Sequence, residues 1–403
     1  MGNFGNKLFA AVFRAEGVDA ENYSENDEGF DLGNRLILGS ECAPCPSTLG
    51  NFVMHCRKNG ISASKAALFM PSACGPCRFG QYSSLQKILL ERCGFADAVI
   101  LSPCDANAYA GLSNDMRIRL FTAVLCDDVL QRLLTGIRPY ETVPGTTEML
   151  IDKLMTRLIE VMERKGDPLP VLREAVPAFK AIEQDRSQSR PRIGIVGEIY
   201  VRSSDFLNDD LERQIEAYGG EAIKSSLTEW MFYTFEAMFA RQWKSLWERF
   251  NIPVQRWIYH KLSQLEHEYF QIVTEVLPER VEPDIRKILE FGSEYVPIEF
   301  EGESILTIGR ALHFIRVEKV AAIVNAAPAF CMPGTITASI LRSIELRYKV
   351  PVFSLPYDRS GDPNRILFSF LQSCTTADHH PAAGALSPAH VTAEVPSTYS
   401  TNS

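Results

Sequence analysis

Two cysteine pairs carry the most evident chemistry of this sequence: Cys42 and Cys45 in "GSECAPCPSTLG", and Cys74 and Cys77 in "MPSACGPCRFGQY". Thiols at this spacing, on turns rich in Pro and Gly, suit three tasks. They hold zinc, cycle as a redox disulfide, or ligate an iron–sulfur centre. Cys104 in "LSPCDANAY" and Cys331 in "AFCMPGTI" stand in similar company, each after an apparent strand. The remaining cysteines read differently. Cys56, Cys93 and Cys126 fall on segments with helical periodicity, and Cys374 precedes a polar tail, so packing or incidental roles suit these four.

Those loops need elements to hold them. "AALFMP" (66–71) reads as a short buried strand. "GQYSSLQKILLERCG" follows with helical spacing, Leu85, Ile88, Leu89 and Cys93 sharing one face, and "ADAVILSP" (96–103) is a second strand. Strand, helix, strand makes a βαβ unit and predicts a parallel sheet. Residues 146–183 are mostly helical, and "EQDRSQSRP" (183–191) reads as a linker. The pattern then restarts with strands at 192–198 and 221–226, the segment "SDFLNDDLERQIEAYGG" between them being a capped helix. A long helical insertion follows over 228–292, broken at Pro253. Strand 320–325, a helix and strand 351–358 close the second unit. The predicted organisation is an N-terminal α/β domain over 1–182 with most of the loop cysteines, a linker over 183–191, and a C-terminal α/β domain over 192–373. A polar, disordered tail completes it over 374–403.

In open parallel sheets, ligands gather beyond the carboxyl ends of the strands. Cys74 and Cys77, Cys104, Cys331, and the group Glu198, Tyr200 and Arg202 all follow strands in this reading. Two domains facing each other would bring these loops to one cleft.

Several chemistries fit poorly. Zinc ligand pairs usually sit closer in sequence than the 28 residues between Cys45 and Cys74, and six cysteines exceed the needs of one tetrahedral ion. A thioredoxin-type dithiol would explain "CGPC" ahead of a helix but leave the other loop cysteines idle. A Cys or Ser nucleophile wants a histidine base, yet outside the tail the histidines are His55, His260, His267 and His313, none on a strand-end loop. No phosphate-binding loop occurs, and "GIVGE" is not G-x-G-x-x-G. Iron–sulfur ligation remains.

Bulk properties agree with a globular chain. The sequence has 403 residues, 46% of them hydrophobic, and a net charge of −9, which argues against a nucleic-acid partner. No apolar run is long enough for a membrane helix, and the N-terminus lacks the pattern of a signal peptide or a myristoylation site. A cytoplasmic location is the expectation.

Taken together, "GSECAPCPSTLGNF", "MPSACGPCRFGQY", "PRIGIVGEIYVR" and "AFCMPGTI" resemble the 2-hydroxyacyl-CoA dehydratase and benzoyl-CoA reductase superfamily, and more closely its double-cubane cluster proteins and the C-terminal regions of large activase fusions. The resemblance spans about residues 7–372. It implies two flavodoxin-like or Rossmann-like parallel-sheet domains with an iron–sulfur cluster in the cleft between them. It also implies a homodimer, fed with low-potential electrons by a separate ATP-hydrolysing iron–sulfur activator. The double-cubane branch implies an [8Fe-9S] cluster on six cysteines and reduction of a small-molecule substrate; the dehydratase branch implies a single [4Fe-4S] cubane. A plain cluster carrier is a third expectation. The matching positions are Cys42, Cys45, Cys74, Cys77 and Cys331, with Cys104 as the sixth and Cys56 as its replacement. Beside such a cluster, Glu198 and Tyr200 would supply protons. Arg78 and Arg202 would stabilise negative charge, against the alternatives of a structural salt bridge for Arg78 and core packing for Tyr200.

Overall fold

The structure is a computed structural model. It describes residues 4–37, 41–73, 75, 77–104, 109–240, 246–300 and 302–377. Cys74 and most of the expected tail lie outside the described residues.

The chain begins with α1 (Gly5–Arg14), α2 (Asp27–Leu36) and α3 (Pro44–Lys58). Next come β1 (Ala67–Phe69), α4 (Tyr82–Arg92) and β2 (Val99–Leu101), followed by α5 (Asn114–Ile137), α6 (Thr146–Glu163) and α7 (Leu169–Lys180). β3 (Arg192–Gly197), α8 (Leu211–Ala217) and β4 (Glu221–Lys224) follow, then α9 (Leu227–Ala240), α10 (Leu246–Val276), α11 (Ile285–Ser293) and α12 (Ser304–His313). β5 (Ala322–Pro328), α13 (Met332–Tyr348), β6 (Val352–Tyr357) and α14 (Arg365–Ala377) complete it. The result is a mixed α/β protein, mostly helical. Among the described residues no helix is long and apolar enough to cross a membrane.

All six strands expected from the sequence are present, and all pair in parallel. β1 and β2 form a two-stranded sheet, and the other four run in the order β4-β3-β5-β6. β3 and β5 are central and covered on both faces, which is why they read as unbroken apolar runs, not alternating ones. Gly194 lets Phe314 lie directly on β3, since a Cβ there would come within 2.6 Å of the ring. Gly197 ends the strand at φ +121, a left-handed conformation, with the Ala326 carbonyl where a side chain would go.

Three apolar clusters hold the elements. The largest joins α1, α5, α6 and α7 to α9–α12 and one face of the larger sheet, through residues such as Leu133, Val196, Val273 and Ile323. It therefore draws helices from both sides of the 183–191 segment. That segment is itself tied down: Asp185 N–H donates to the Tyr140 carbonyl at 2.8 Å, and Arg186 stacks on the Tyr140 ring. The second cluster lies between the other sheet face and α8 and α14. The third packs α3 and α4 on β1 and β2.

Some local expectations change. The helix expected from Ser204 begins only at Leu211. Ser204 accepts from Leu207 N–H, Asn208 donates to the Val201 carbonyl and accepts from Leu211 N–H, and Asp209 and Asp210 adopt positive φ, so polar side chains wind 204–210 into turns. Pro253 does not break its segment: it lies inside α10, near the start, and removes only one early backbone hydrogen bond. α14 continues to Ala377, past the expected start of the tail.

Candidate functional site: thiols gathered at helix starts

Cys42 and Cys45 are not on a loop, as the sequence suggested, but at the start of α3. Cys45 lies in its first turn behind Pro44, a residue favoured there because its missing N–H would have no helical partner, and Cys45 N–H donates to the Cys42 carbonyl at 2.9 Å. Cys77 precedes a single 3-10 turn, Arg78–Gln81, that leads into α4. Cys331 caps α13, its Sγ accepting from Gly334 N–H at 3.3 Å. A Cβ on Gly334 would lie 3.2 Å from that sulfur, so glycine keeps the thiol uncrowded. Cys104 follows β2, and parallel pairing holds its loop beside the one after β1. Met70 N–H donates to the Leu101 carbonyl at 2.9 Å, and Ser72 N–H to the Pro103 carbonyl at 3.1 Å.

These thiols act on one another. Burial raises the Cys77 thiol to about 12, helped by Glu303, Glu198 and Cys42. Burial likewise pushes the Cys331 thiol far above its ordinary value, with Glu198, Glu303 and Cys42 adding to it. The Cys42 thiol is raised by burial; a hydrogen bond with Tyr82 opposes that, Glu198 adds to it and Arg78 opposes it. Cys45 is raised to about 12 by burial, then by Cys42. Cys42, Cys77, Cys331, Glu198, Glu303 and Arg78 thus share one electrostatic neighbourhood. Cys42, Cys45 and Cys331 are at most 8% exposed, so bulk water does not screen these interactions. In the metal-free chain the thiols keep their protons, and a bound cation would displace them.

The expected companions divide. Glu198 is held by β3 and β5: its N–H donates to the Ala326 carbonyl at 2.9 Å, and its carboxylate accepts from Val201 N–H at 2.8 Å. Burial raises this carboxyl against the pull of the Val201 and Tyr200 N–H groups and Arg202. Arg78 reaches across 252 residues of sequence to donate to the Phe330 carbonyl at 3.1 Å, fastening the Cys77 loop to the residue before Cys331. Tyr200 is engaged elsewhere. Its hydroxyl donates to Glu25 at 3.0 Å, and Glu25 also accepts from Ser204 at 2.5 Å and from Ser47, two residues beyond Cys45. Arg202 is buried and donates to Ser225 and to the Ser226 carbonyl at the end of β4. Cys56 lies eleven residues beyond Cys45 on α3, about 16 Å along the axis at 1.5 Å per residue.

Three residues escaped the sequence reading. Tyr82 hydrogen-bonds Cys42; it was visible only as the last letter of "GPCRFGQY". Glu303 precedes α12, whose start is fastened to that of α13 by Ser304 Oγ donating to the Pro333 carbonyl at 3.2 Å. Its carboxyl is raised to about 8 by burial and by Glu198, against Arg202 and a hydrogen bond with Trp230. Glu25 sits in a polar stretch, "ENYSENDEG", that carries no motif.

The donor set can be tested against an iron–sulfur centre. Among the described residues every cysteine is a free thiol. Among them, too, no three His, Cys, Asp or Glu side chains converge closely enough for a single metal ion. Cysteines of a multi-iron cluster bind different irons and are spread around it, and an all-thiol, buried donor set suits such a centre. Compared with known proteins, the chain matches no family model, no curated protein and no solved structure.

Proposed function

We propose that this protein is the reductase component of an iron–sulfur system, its two Rossmann-like halves holding the centre between them. Cys42, Cys45, Cys77 and Cys331 would ligate it, with Cys74 and Cys104 completing six ligands for a double-cubane [8Fe-9S] cluster. The observation that carries this reading is the shared neighbourhood of Cys42, Cys77 and Cys331, brought together from three separate helix starts. Such a centre, when bound, supplies low-potential electrons for reduction of a small molecule. The chain's own groups do the rest. Burial of the thiols excludes water. Glu303, whose carboxyl titrates near neutral pH, holds a proton beside the thiols and passes it on, with Glu198 next to it. Arg78 places a positive charge near Cys42 and braces the Cys77 loop. Tyr200, bonded to Glu25, positions the strand-end loop against α3 and is no longer the first choice as proton donor.

The partners in this reading are an ATP-hydrolysing activator and a second copy of the chain, in the cytoplasm. A second reading, a dehydratase-like subunit with a [4Fe-4S] cubane, draws on the same trio, because three protein cysteines suffice for a single cubane. Anaerobic purification followed by iron and sulfide analysis separates the two: about eight irons per chain supports the first and about four the second. Failure to retain iron and sulfide after anaerobic reconstitution would refute both.

A further inference from the structure

A well-formed groove lies away from the thiols. It encloses about 750 Å³ between α9, α10 and the segment leading into α11. A cavity of this size, with aromatic side chains set among many polar ones, is large enough for a small molecule. Phe232 and Phe239 on α9 and Phe270 on α10 line it.

The sign of its charge decides what it would take. Four acids line the groove, against two arginines and two histidines. Three of the acids are already engaged. Glu236 pairs with Arg286 at 3.0 Å, Asp284 caps α11 by accepting from Arg286 N–H at 2.8 Å, and Glu282 accepts from Ser226 at 2.7 Å and pairs with Arg132 and Arg310. The fourth, Glu266, is half-buried beside Thr228, which pulls its carboxyl down against the larger effect of burial. The Thr228 hydroxyl donates to Asp128, at 2.8 Å. Burial, with Asp128, drives the Glu266 carboxyl to about 8, with Arg132 opposing and Glu229 adding to the rise.

One cation is left over. Arg256, on the exposed rim, makes no ion pair among the described residues; its guanidinium lies 5.6 Å from the Phe239 ring centroid. His260 and His267 line the same side of the groove, four and eleven residues further along α10. We propose that this groove is a second ligand site, for a small carboxylate with an apolar body. The carboxylate would pair with Arg256, and the body would lie along the phenylalanine wall. A guanidinium at such a site gives a charge-assisted, two-pronged hydrogen bond that an amide or amine cannot replace.

The test is calorimetric titration of the full chain with 3-phenylpropionate, its neutral amide and 2-phenylethylamine. The carboxylate should bind saturably, about tenfold or more tighter than the amide, as expected for a hydrogen bond to a charged group. Arg256→Gln should remove that advantage while leaving the amide's weak affinity unchanged. Arg286→Gln, which removes a guanidinium already paired within the groove, should lower carboxylate affinity far less. Absence of saturable carboxylate binding, equal or tighter binding of the amine, or carboxylate affinity untouched by Arg256→Gln would each overturn the proposal. The outcome is independent of iron content, so it stands or falls separately from the reading of the thiol site.

Discussion

Replacing Glu266 by Gln should flatten the dependence of stability on pH. Glu266 is ionised in the unfolded chain above its ordinary value of 4.5, but in the folded chain it holds its proton up to about 8. The groups facing it are Asp128 and Arg132 from α5 and Glu229 with Thr228 from α9. The folded state binds this proton more tightly than the unfolded state. Its contribution is therefore complete below about pH 4.5 and is lost as pH rises towards 8. Through this one group, each pH unit in that interval removes about 1.4 kcal/mol. The whole interval would amount to about 5 kcal/mol. Solvent reaches the groove side of the carboxyl, and the expected loss is nearer to about 2 kcal/mol. Gln cannot ionise and keeps the shape of the side chain. Urea denaturation of both chains at pH 5 and pH 8.5 measures the effect. The variant should gain on the wild type by about 2 kcal/mol across that range. Parallel stability profiles would show that Glu266 ionises normally, and would remove the neutral acid from the description of the groove.

Four further outcomes follow from the same geometry. Glu303→Gln should lower the Cys77 thiol pKa, because Glu303 is the largest charge raising it after burial, so alkylation of Cys77 in the metal-free chain at pH 8 should quicken about threefold or more; an unchanged rate would place Glu303 out of reach of the thiols. Gly197→Ala should cost on the order of 3 kcal/mol, combining the positive φ with collision against the Ala326 carbonyl, as measured by urea midpoint. Arg78→Ala should expose Cys331 to faster alkylation with under about 1 kcal/mol lost in stability, since its bond to the Phe330 carbonyl is exposed. On the iron–sulfur reading, Cys331→Ser should lose part of the bound iron and Cys93→Ser none, by iron analysis of anaerobic preparations.

How much of this was legible in the sequence depends on the kind of signal. The six strands were, because central parallel strands are short apolar runs bounded by Gly, Pro and polar turns, and "RIGIVGE" and "AAIVNAAP" have that form. The placement of Cys331 and Cys77 was legible too, since strand ends can be counted. The start of α3 was not: "CAPCPSTLG" reads as a loop through its two prolines, yet Pro at the first positions of a helix is well tolerated, and the glycines of α2 and α3 let those helices touch backbone to backbone. The turns over 204–210 were hidden because Ser, Asn and Asp look like helix caps while their side chains compete for the backbone. Long-range partners carry no local signal at all. Glu25 and Tyr200 are 175 residues apart, and nothing in either neighbourhood announces the other.

That separation bears on how the thiol site is held. Its parts come from five stretches of chain: the start of α3, the loop after β1, the turn after β3, the start of α12 and the start of α13. Each is fastened to another by a bond between residues 22 to 252 positions apart. Glu25 ties Tyr200 and Ser204 to Ser47 on α3, Arg78 ties the Cys77 loop to Phe330, and Ser304 ties α12 to α13. None of these bonds involves a thiol, so the sulfurs are positioned by the surrounding frame and not by each other. Such a frame can bring thiols together before anything binds them, which lowers the ordering cost of ligation. It also means that loosening one fastening should disturb one side of the site first. Glu25→Ala should therefore quicken alkylation at Cys42 more than at Cys331, whereas Arg78→Ala should do the reverse. Equal changes at both thiols in both variants would show that the site loosens as a single unit, and that the frame has no separable parts.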